Sequence, residues 1–350
     1  MDQAWVGAVG ALVIVPLGGW IVYERLRRRK ETGVARNGPG GEAQKKLAPR
    51  GAEEDDVEVT SVTLSPSKAV DDERASTEKS IIELSFEDDA EADEATSPVA
   101  RILMAASGQS DSGKVRKRNE DSFVMLDHKA VYAVADGMGG HAGGDVASKL
   151  AIDTFAMAFQ EGKFDADLEA ASDVPRRGRE IACAVQMANA AVHERAQNDE
   201  ALTDMGTTLV SARFSPNKQR VYIGHVGDSR CYRIRGGVIR QLTNDHTLGG
   251  LGIKGPTSHQ LYQALGLKGR ITIDVIVDKP RTNDLYLLCS DGLTKMMNDE
   301  EIRDLALAET DVQTSVKTLI DLANDRGGKD NVTVILVKVL DQLPSKSLRP

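Results

Sequence analysis

A chain of 350 residues is long enough for one large or two small domains, and its formal net charge of −9 argues against a nucleic-acid partner. Its three cysteines, Cys183, Cys231 and Cys289, are odd in number, far apart and in apolar surroundings. That pattern excludes a disulfide framework and reads as reduced, intracellular core thiols.

The first element is an apolar run. Ala4 to Tyr23 carries no charge over 20 residues, enough for a helix to span a bilayer. Trp5, Trp20 and Tyr23 sit at its ends, as interfacial aromatics do. Arg25, Arg27, Arg28, Arg29 and Lys30 follow, and the positive-inside rule puts that flank in the cytoplasm. A cleaved signal peptide needs a basic stretch before its apolar core, where this chain has only Asp2 and Gln3 after Met1. Residues 1–30 are therefore expected to be a single-pass anchor in a cell inner or plasma membrane, with the rest of the chain cytoplasmic. Residues 31–100 are expected to be an acidic, disordered linker. The runs EEDD, DDER, EDD and EADE recur there, with few large apolar residues to bury. Thr60, Ser65, Ser67, Thr77 and Thr96 stand among the acids as candidate phospho-acceptors.

From Arg101 the texture becomes globular, and one domain is expected over 101–342, with a tail at 343–350. Strands are predicted at DSFVML, AVYAVA, TTLVSARF, RVYIGHV, ITIDVIV, DLYLLC and NVTVILVKV. A helix in HAGGDVASKLAIDTFAMAF places Val146, Leu150, Phe155 and Phe159 on one face. Further helices are predicted over Arg179–Gln197, Asp299–Ala308 and Asp311–Arg326, the last with Asp311 as N-cap and Gly327 just past its end. Strands fall in hairpin-like clusters, one with Pro216-Asn217 as its turn, and helices come in pairs. The order predicts an α+β class, antiparallel sheets under helix layers.

The densest signal is ADGMGGHAGGDVAS, Ala135 to Ser148, with five glycines in eight residues after an apolar strand. Gly137 to Ala142 fits G-x-G-x-x-A, the dinucleotide-binding pattern. Asp136 at the entrance would repel a pyrophosphate, and no second βαβ strand ending in an acid follows. A metal reading fits better. Asp136, Asp228 and Asp291 each follow an apolar strand, and Asp330 stands just before one. One such aspartate is an ordinary turn residue. Four that converge would need neutralising, and oxygen-only ligands suit Mg²⁺ or Mn²⁺ rather than zinc. The six histidines make no paired metal spacing, while Glu120 and Asp121 add acids beside a basic group.

The segments GKVRKRNEDSF, VADGMGGHAGGDVAS, MGTTL, HVGDSRCYRIRGG, LTNDH, QALG, LLCSDGL and GGKDNVTV resemble, in order, the motifs of the PPM or protein phosphatase 2C family in its bacterial serine/threonine form. The resemblance covers about Ser107 to Leu340. It implies a four-layer α/β/β/α sandwich of two antiparallel sheets. It also implies that Asp136 bridges two divalent cations, Mn²⁺ or Mg²⁺, with the Gly137 carbonyl completing one and the glycine leaving room for phosphate. Asp291 and Asp330 would hold the other, and Asp228 with Asp291 a third, weaker one. Arg116 matches the arginine that grips phosphate, and Glu120 and Asp121 would act through metal-bound waters. The implied reaction is hydrolysis of phosphoserine and phosphothreonine by direct attack of a metal-bridging hydroxide, with no cysteine nucleophile. The implied partners are phosphorylated proteins, a Ser/Thr kinase among them, and the catalytic domain is expected to be monomeric.

Met138 stands where animal relatives carry a histidine, as in bacterial relatives, and His141 reads as a structural residue at the helix start. The flap over 247–263 is shorter than usual for the family. A catalytically dead relative would have lost metal ligands, and all the matched aspartates are present. A phosphatase dedicated to one anti-anti-sigma partner usually lacks R-x-x-N-E-D, which is intact from Arg116 to Asp121. The motifs leave a small-molecule phosphatase open.

Overall fold

The β-branched runs pair into two antiparallel sheets. The computed structural model describes residues 57–63, 101–139, 143–164, 174–215, 220–309 and 311–343. The apolar span Ala4–Tyr23 with its basic flank, His141, Pro216-Asn217 and the tail from 344 lie outside the described residues. Among the described residues no helix is long and apolar enough to cross a membrane.

The strands are β1 (Glu58–Thr63), β2 (Arg101–Asp111), β3 (Asp121–Leu126), β4 (Val131–Met138), β5 (Gly206–Thr207), β6 (Leu209–Phe214), β7 (Val221–Val226), β8 (Arg230–Arg235), β9 (Val238–Gln241), β10 (Thr272–Asp278), β11 (Leu285–Cys289) and β12 (Val332–Leu343). The helices are α1 (Gly144–Glu161), α2 (Arg176–Asn198), α3 (Asp291–Thr294), α4 (Asp299–Ala308) and α5 (Val312–Asp325). One sheet runs β1-β10-β7-β6-β4-β3, with β5 paired to the end of β4, and the other runs β2-β12-β11-β8-β9.

Burial shows how the layers stack. Tyr222 and Val226 of β7 pack with Phe155 and Phe159 of α1 and Ile181 of α2, whereas Val221 and Ile223 pack with Tyr286 and Leu288 of β11 and Ile335 of β12. Alternate residues of one strand thus face helices and the opposite sheet. Leu287 and Leu336 turn outward to Ile302 of α4 and Leu319 of α5. The layers are α/β/β/α, as the resemblance implies. Each fully buried Leu, Ile or Phe contributes roughly 1.5–3 kcal/mol of transfer free energy. All three cysteines lie in these layers, buried and free of disulfides.

On α1 the buried stripe is Ala147, Ala151, Phe155 and Phe159, while Val146 and Leu150 are only partly covered. Helix α5 is capped as predicted, the Asp311 carboxylate accepting the Thr314 N–H at 2.9 Å. The hairpin from β6 to β7 closes through the Ser215 N–H donating to the Arg220 carbonyl at 2.9 Å.

One expectation is corrected. Residues 31–100 are not linker throughout, because β1 lies inside that span and pairs in register with β10 from Glu58↔Val277 to Thr63↔Thr272. Its sequence, EVTSVT, is rich in β-branched residues despite the acidic surroundings, and β10 offers an edge to pair with.

Candidate metal centre

The topology carries the acids to one end of the sandwich. Strand β4 delivers Asp136, and β7 runs into Gly227 and Asp228. From the other sheet, β11 leads through Ser290 into Asp291, the first residue of α3, and Asp330 stands just before β12. Asp121, opening β3, is the cross-strand partner of Asp136. The structure therefore brings Asp121, Asp136, Asp228, Asp291 and Asp330 together, with Glu120 beside them.

The backbone here is held firmly. The Asp136 carbonyl accepts from the Thr207 hydroxyl and the Thr208 N–H, both at 2.9 Å, and the Asp136 N–H donates to Thr208 Oγ1 at 3.0 Å. Asn331 fastens the Arg116 loop to β12: its Nδ2 donates to the carbonyls of Ser112 and Arg118, and its Oδ1 accepts the Glu120 N–H at 2.8 Å. Two glycines are required by close approach. A Cβ on Gly137 would lie 2.0 Å from the Gly144 carbonyl oxygen, and one on Gly292 would lie 1.8 Å from that of Asn331. What fills the space beside Gly137 is thus the first turn of α1.

The charges are unbalanced, and the carboxyls show it. Burial, and then the charges of Asp121, Asp291, Asp228 and Asp330, push Asp136 well above the usual carboxylate range. Burial, with Asp291 and Asp245 next, raises Asp228 to about 7. Burial lifts Asp121 to about 6, although the Ser290 and Thr333 hydroxyls both donate to its Oδ2 at 2.7 Å. Asp291 is raised by burial, against the pull of Lys295. Asp330 goes the other way: burial would raise it, but Lys295 and then Arg116 outweigh burial and hold it low. Arg116 Nε lies 2.8 Å from Asp330 Oδ1, and Lys295 Nζ lies 2.6 Å from Asp291 Oδ2 and 2.8 Å from Asp330 Oδ2. Arg116 also stands 3.9 Å from Glu120.

Two carboxylate oxygens here, Asp121 Oδ1 and Asp291 Oδ1, are buried with no hydrogen-bond partner. Buried acceptors without donors are costly. An oxygen-only donor set with orphaned oxygens fits hard divalent cations.

Lys295 and Asn331 were not among the expected site residues. The signal for Lys295 is its place four residues after Asp291, one helical turn on.

His225, His246 and Asp274 also offer ligand atoms within 4.8 Å of one another. His246 Nδ1 accepts the Gly227 N–H at 3.1 Å, so its proton sits on Nε2, facing Asp274 at 3.2 Å. That nitrogen has no lone pair for a cation, and the dyad is a brace for the Gly227-Asp228 turn.

The sequence profile described as protein phosphatase 2C matches residues 113–337. The chain belongs to the protein phosphatase 2C family. It is a serine/threonine protein phosphatase, and this family is metal-dependent. Among curated relatives of this phosphatase, the serine/threonine phosphatase stp of Listeria welshimeri is 36% identical over 249 residues, 67% of this chain and 96% of that protein. The serine/threonine protein phosphatase PstP of Mycobacterium tuberculosis is 36% identical over 250 residues, 69% of this chain and 46% of that protein. Among solved structures, the catalytic domain of PstP in complex with two manganese ions aligns with a TM-score of 0.59 at 35% identity, covering 69% of this chain and all of that one.

Proposed function

We propose that this phosphatase hydrolyses phosphoserine and phosphothreonine in proteins at the acidic end of the sandwich. The observation that carries the reading is the convergence of five aspartates with too few positive partners and two orphaned oxygens. Asp136, the Gly137 carbonyl, Asp291 and Asp330 would hold two divalent cations, Mn²⁺ or Mg²⁺, and Asp228 with Asp291 a third. When bound, the cations supply Lewis-acid charge at phosphorus and a water of lowered pKa for direct attack.

The protein's own groups do the positioning. Arg116 is half-exposed above the acids, and its planar fork suits a phosphate oxyanion. Its contact with Asp330 fixes where that fork stands. Glu120 stands beside Arg116 and Asp121 lies buried among the other acids, and both would act through ordered water. Thr207, Thr208 and Asn331 keep Asp136 and the Arg116 loop in place.

The apolar span and basic flank support a membrane anchor that keeps the catalytic domain cytoplasmic, where membrane-bound Ser/Thr kinases and their substrates are the phosphoproteins within reach. Two measurements test the reading. The full chain should release phosphate from phosphothreonine peptides with Mn²⁺ or Mg²⁺, faster than from small phosphomonoesters, and EDTA should stop it. Turnover persisting in EDTA, or a clear preference for small phosphomonoesters, would refute it. For the anchor, fractionation with protease protection should find the chain in membranes, its catalytic domain shielded from protease outside intact cells.

A further inference from the structure

Among the described residues two positive side chains reach the acidic centre, and they do so differently. Arg116 takes one oxygen of one carboxylate, Asp330 Oδ1. Lys295 bridges two carboxylates, with Nζ 2.6 Å from Asp291 Oδ2 and 2.8 Å from Asp330 Oδ2. The pair it bridges is the pair assigned above to one divalent cation.

The chemistry of the two side chains sharpens the contrast. A guanidinium is a rigid fork, whereas an ammonium is a compact point charge on a flexible stem. It has three donors and no acceptor, so it can satisfy two carboxylates at once, as a small cation does. The Lys295 side chain is 47% exposed, so it can swing to solvent without leaving a hole in the core. The carboxylates it would release are 20% and 17% exposed and remain shielded. An ammonium hydrogen-bonds at about 2.7–2.9 Å, and Mg²⁺ binds oxygen at about 2.0–2.1 Å. The two therefore cannot occupy the space between the same oxygens together.

We infer that Lys295 is a tethered counter-ion that competes with the divalent cation for Asp291 and Asp330. This rests on the metal reading of the acidic centre given above. In metal-free protein Lys295 relieves the repulsion between the two carboxylates, and it swings away when the cation seats. Metal affinity is lowered by the ion pairs that must first break. The lysine thus sets the free divalent concentration at which the enzyme becomes loaded.

The opposite role, a holder that orients the two carboxylates for the cation, predicts the opposite sign, so the test is direct. Mn²⁺ is titrated calorimetrically into chelator-stripped full chain as wild type, Lys295→Met and Lys295→Arg. The methionine variant keeps the stem and removes the charge. It should bind the first cation about tenfold tighter, a typical size for coupling between two competing ligands. The arginine variant keeps the charge and should gain no affinity. Melting temperature gives a readout independent of turnover: metal-free Lys295→Met should melt below wild type, and Mn²⁺ should close the gap. Equal or weaker Mn²⁺ binding by Lys295→Met overturns the inference while leaving the centre intact. Failure of wild type to bind Mn²⁺ at all overturns the centre itself, and the inference with it.

Discussion

The two ends of the sandwich treat buried charge in opposite ways. At the end away from the acidic centre, Asp278 meets Arg233 at 2.6 Å and the Tyr286 hydroxyl at 2.7 Å. Asp284 there takes two hydrogen bonds from Arg235, at 2.9 and 2.8 Å, and Glu180 is paired with Arg213. Each of these carboxylates has a guanidinium. At the other end five aspartates share Arg116 and Lys295. Buried charge is stable when matched, and breaking a match leaves the partner stranded. Where the fold keeps acids it has not matched, the missing positive charge has to come from outside the chain.

The comparison can be broken most severely at its two poles. Asp136→Asn should cut turnover on phosphothreonine peptides on the order of 10³-fold, the scale of losing electrostatic stabilisation at a reacting centre. Because it relieves repulsion, it should not lower the melting temperature of EDTA-treated protein at pH 8. Asp278→Asn should do the reverse: a loss of roughly 3–5 kcal/mol in chemical denaturation, from breaking its buried ion pair with Arg233, with turnover per folded molecule retained. If Asp136→Asn destabilises as much as Asp278→Asn, the distinction between the ends is wrong. Arg116→Ala should raise the Michaelis constant about tenfold, the scale of a charged hydrogen bond. Arg116→Lys should recover part of that, and Lys117→Ala should change little.

The smallest effect is a pH dependence, and its sign is fixed. Asp136, Asp121 and Asp228 have folded-state values raised above those of an unfolded chain. A raised carboxyl contributes stability that is fully present below its unfolded pKa of about 4 and is lost as pH rises through the folded value. For Asp121 and Asp228 that window runs up to about 6 and about 7. EDTA-treated protein should therefore melt roughly 5 °C lower at pH 8 than at pH 5 through this end of the molecule. Mn²⁺ should recover more at pH 8 than at pH 5, because cations bind the deprotonated carboxylates. An equal Mn²⁺ gain at both pH values would show that these acids do not titrate as a cluster.

Much of the acidic end could be read from the sequence alone. An acid beside an apolar run is a local signal, and it marked Asp136, Asp228 and Asp291 after their runs and Asp330 just before its own. The periodicity that announced β4, β6, β7, β11 and β12 is local too. The matched end stayed hidden because register creates it: Arg233 meets Asp278 only once β7 lies between β6 and β10 and the two sheets close. Strand β1 was missed for the same reason, since an acidic sequence becomes a strand only when β10 supplies the edge. Strand β2, RILMAASGQSD, is small and polar along its second half and shows no alternation, yet it forms the long partner of β12. Lys295 needed both a helical turn and a loop from elsewhere in the chain, Asp330.

Strand β1 bears on how the enzyme behaves in a test tube. It covers the outer edge of β10 along six residues. A catalytic fragment begun at Arg101, the boundary that composition suggests, would strip that cover away. Its edge would then offer unpaired N–H and C=O groups over TIDVIVD, a stretch rich in β-branched residues and without proline. Such an edge is a template for another strand, most readily the same edge of a second molecule. That fragment should self-associate with rising concentration, giving a second species by sedimentation. A fragment begun at Glu54 should sediment as a single monomer.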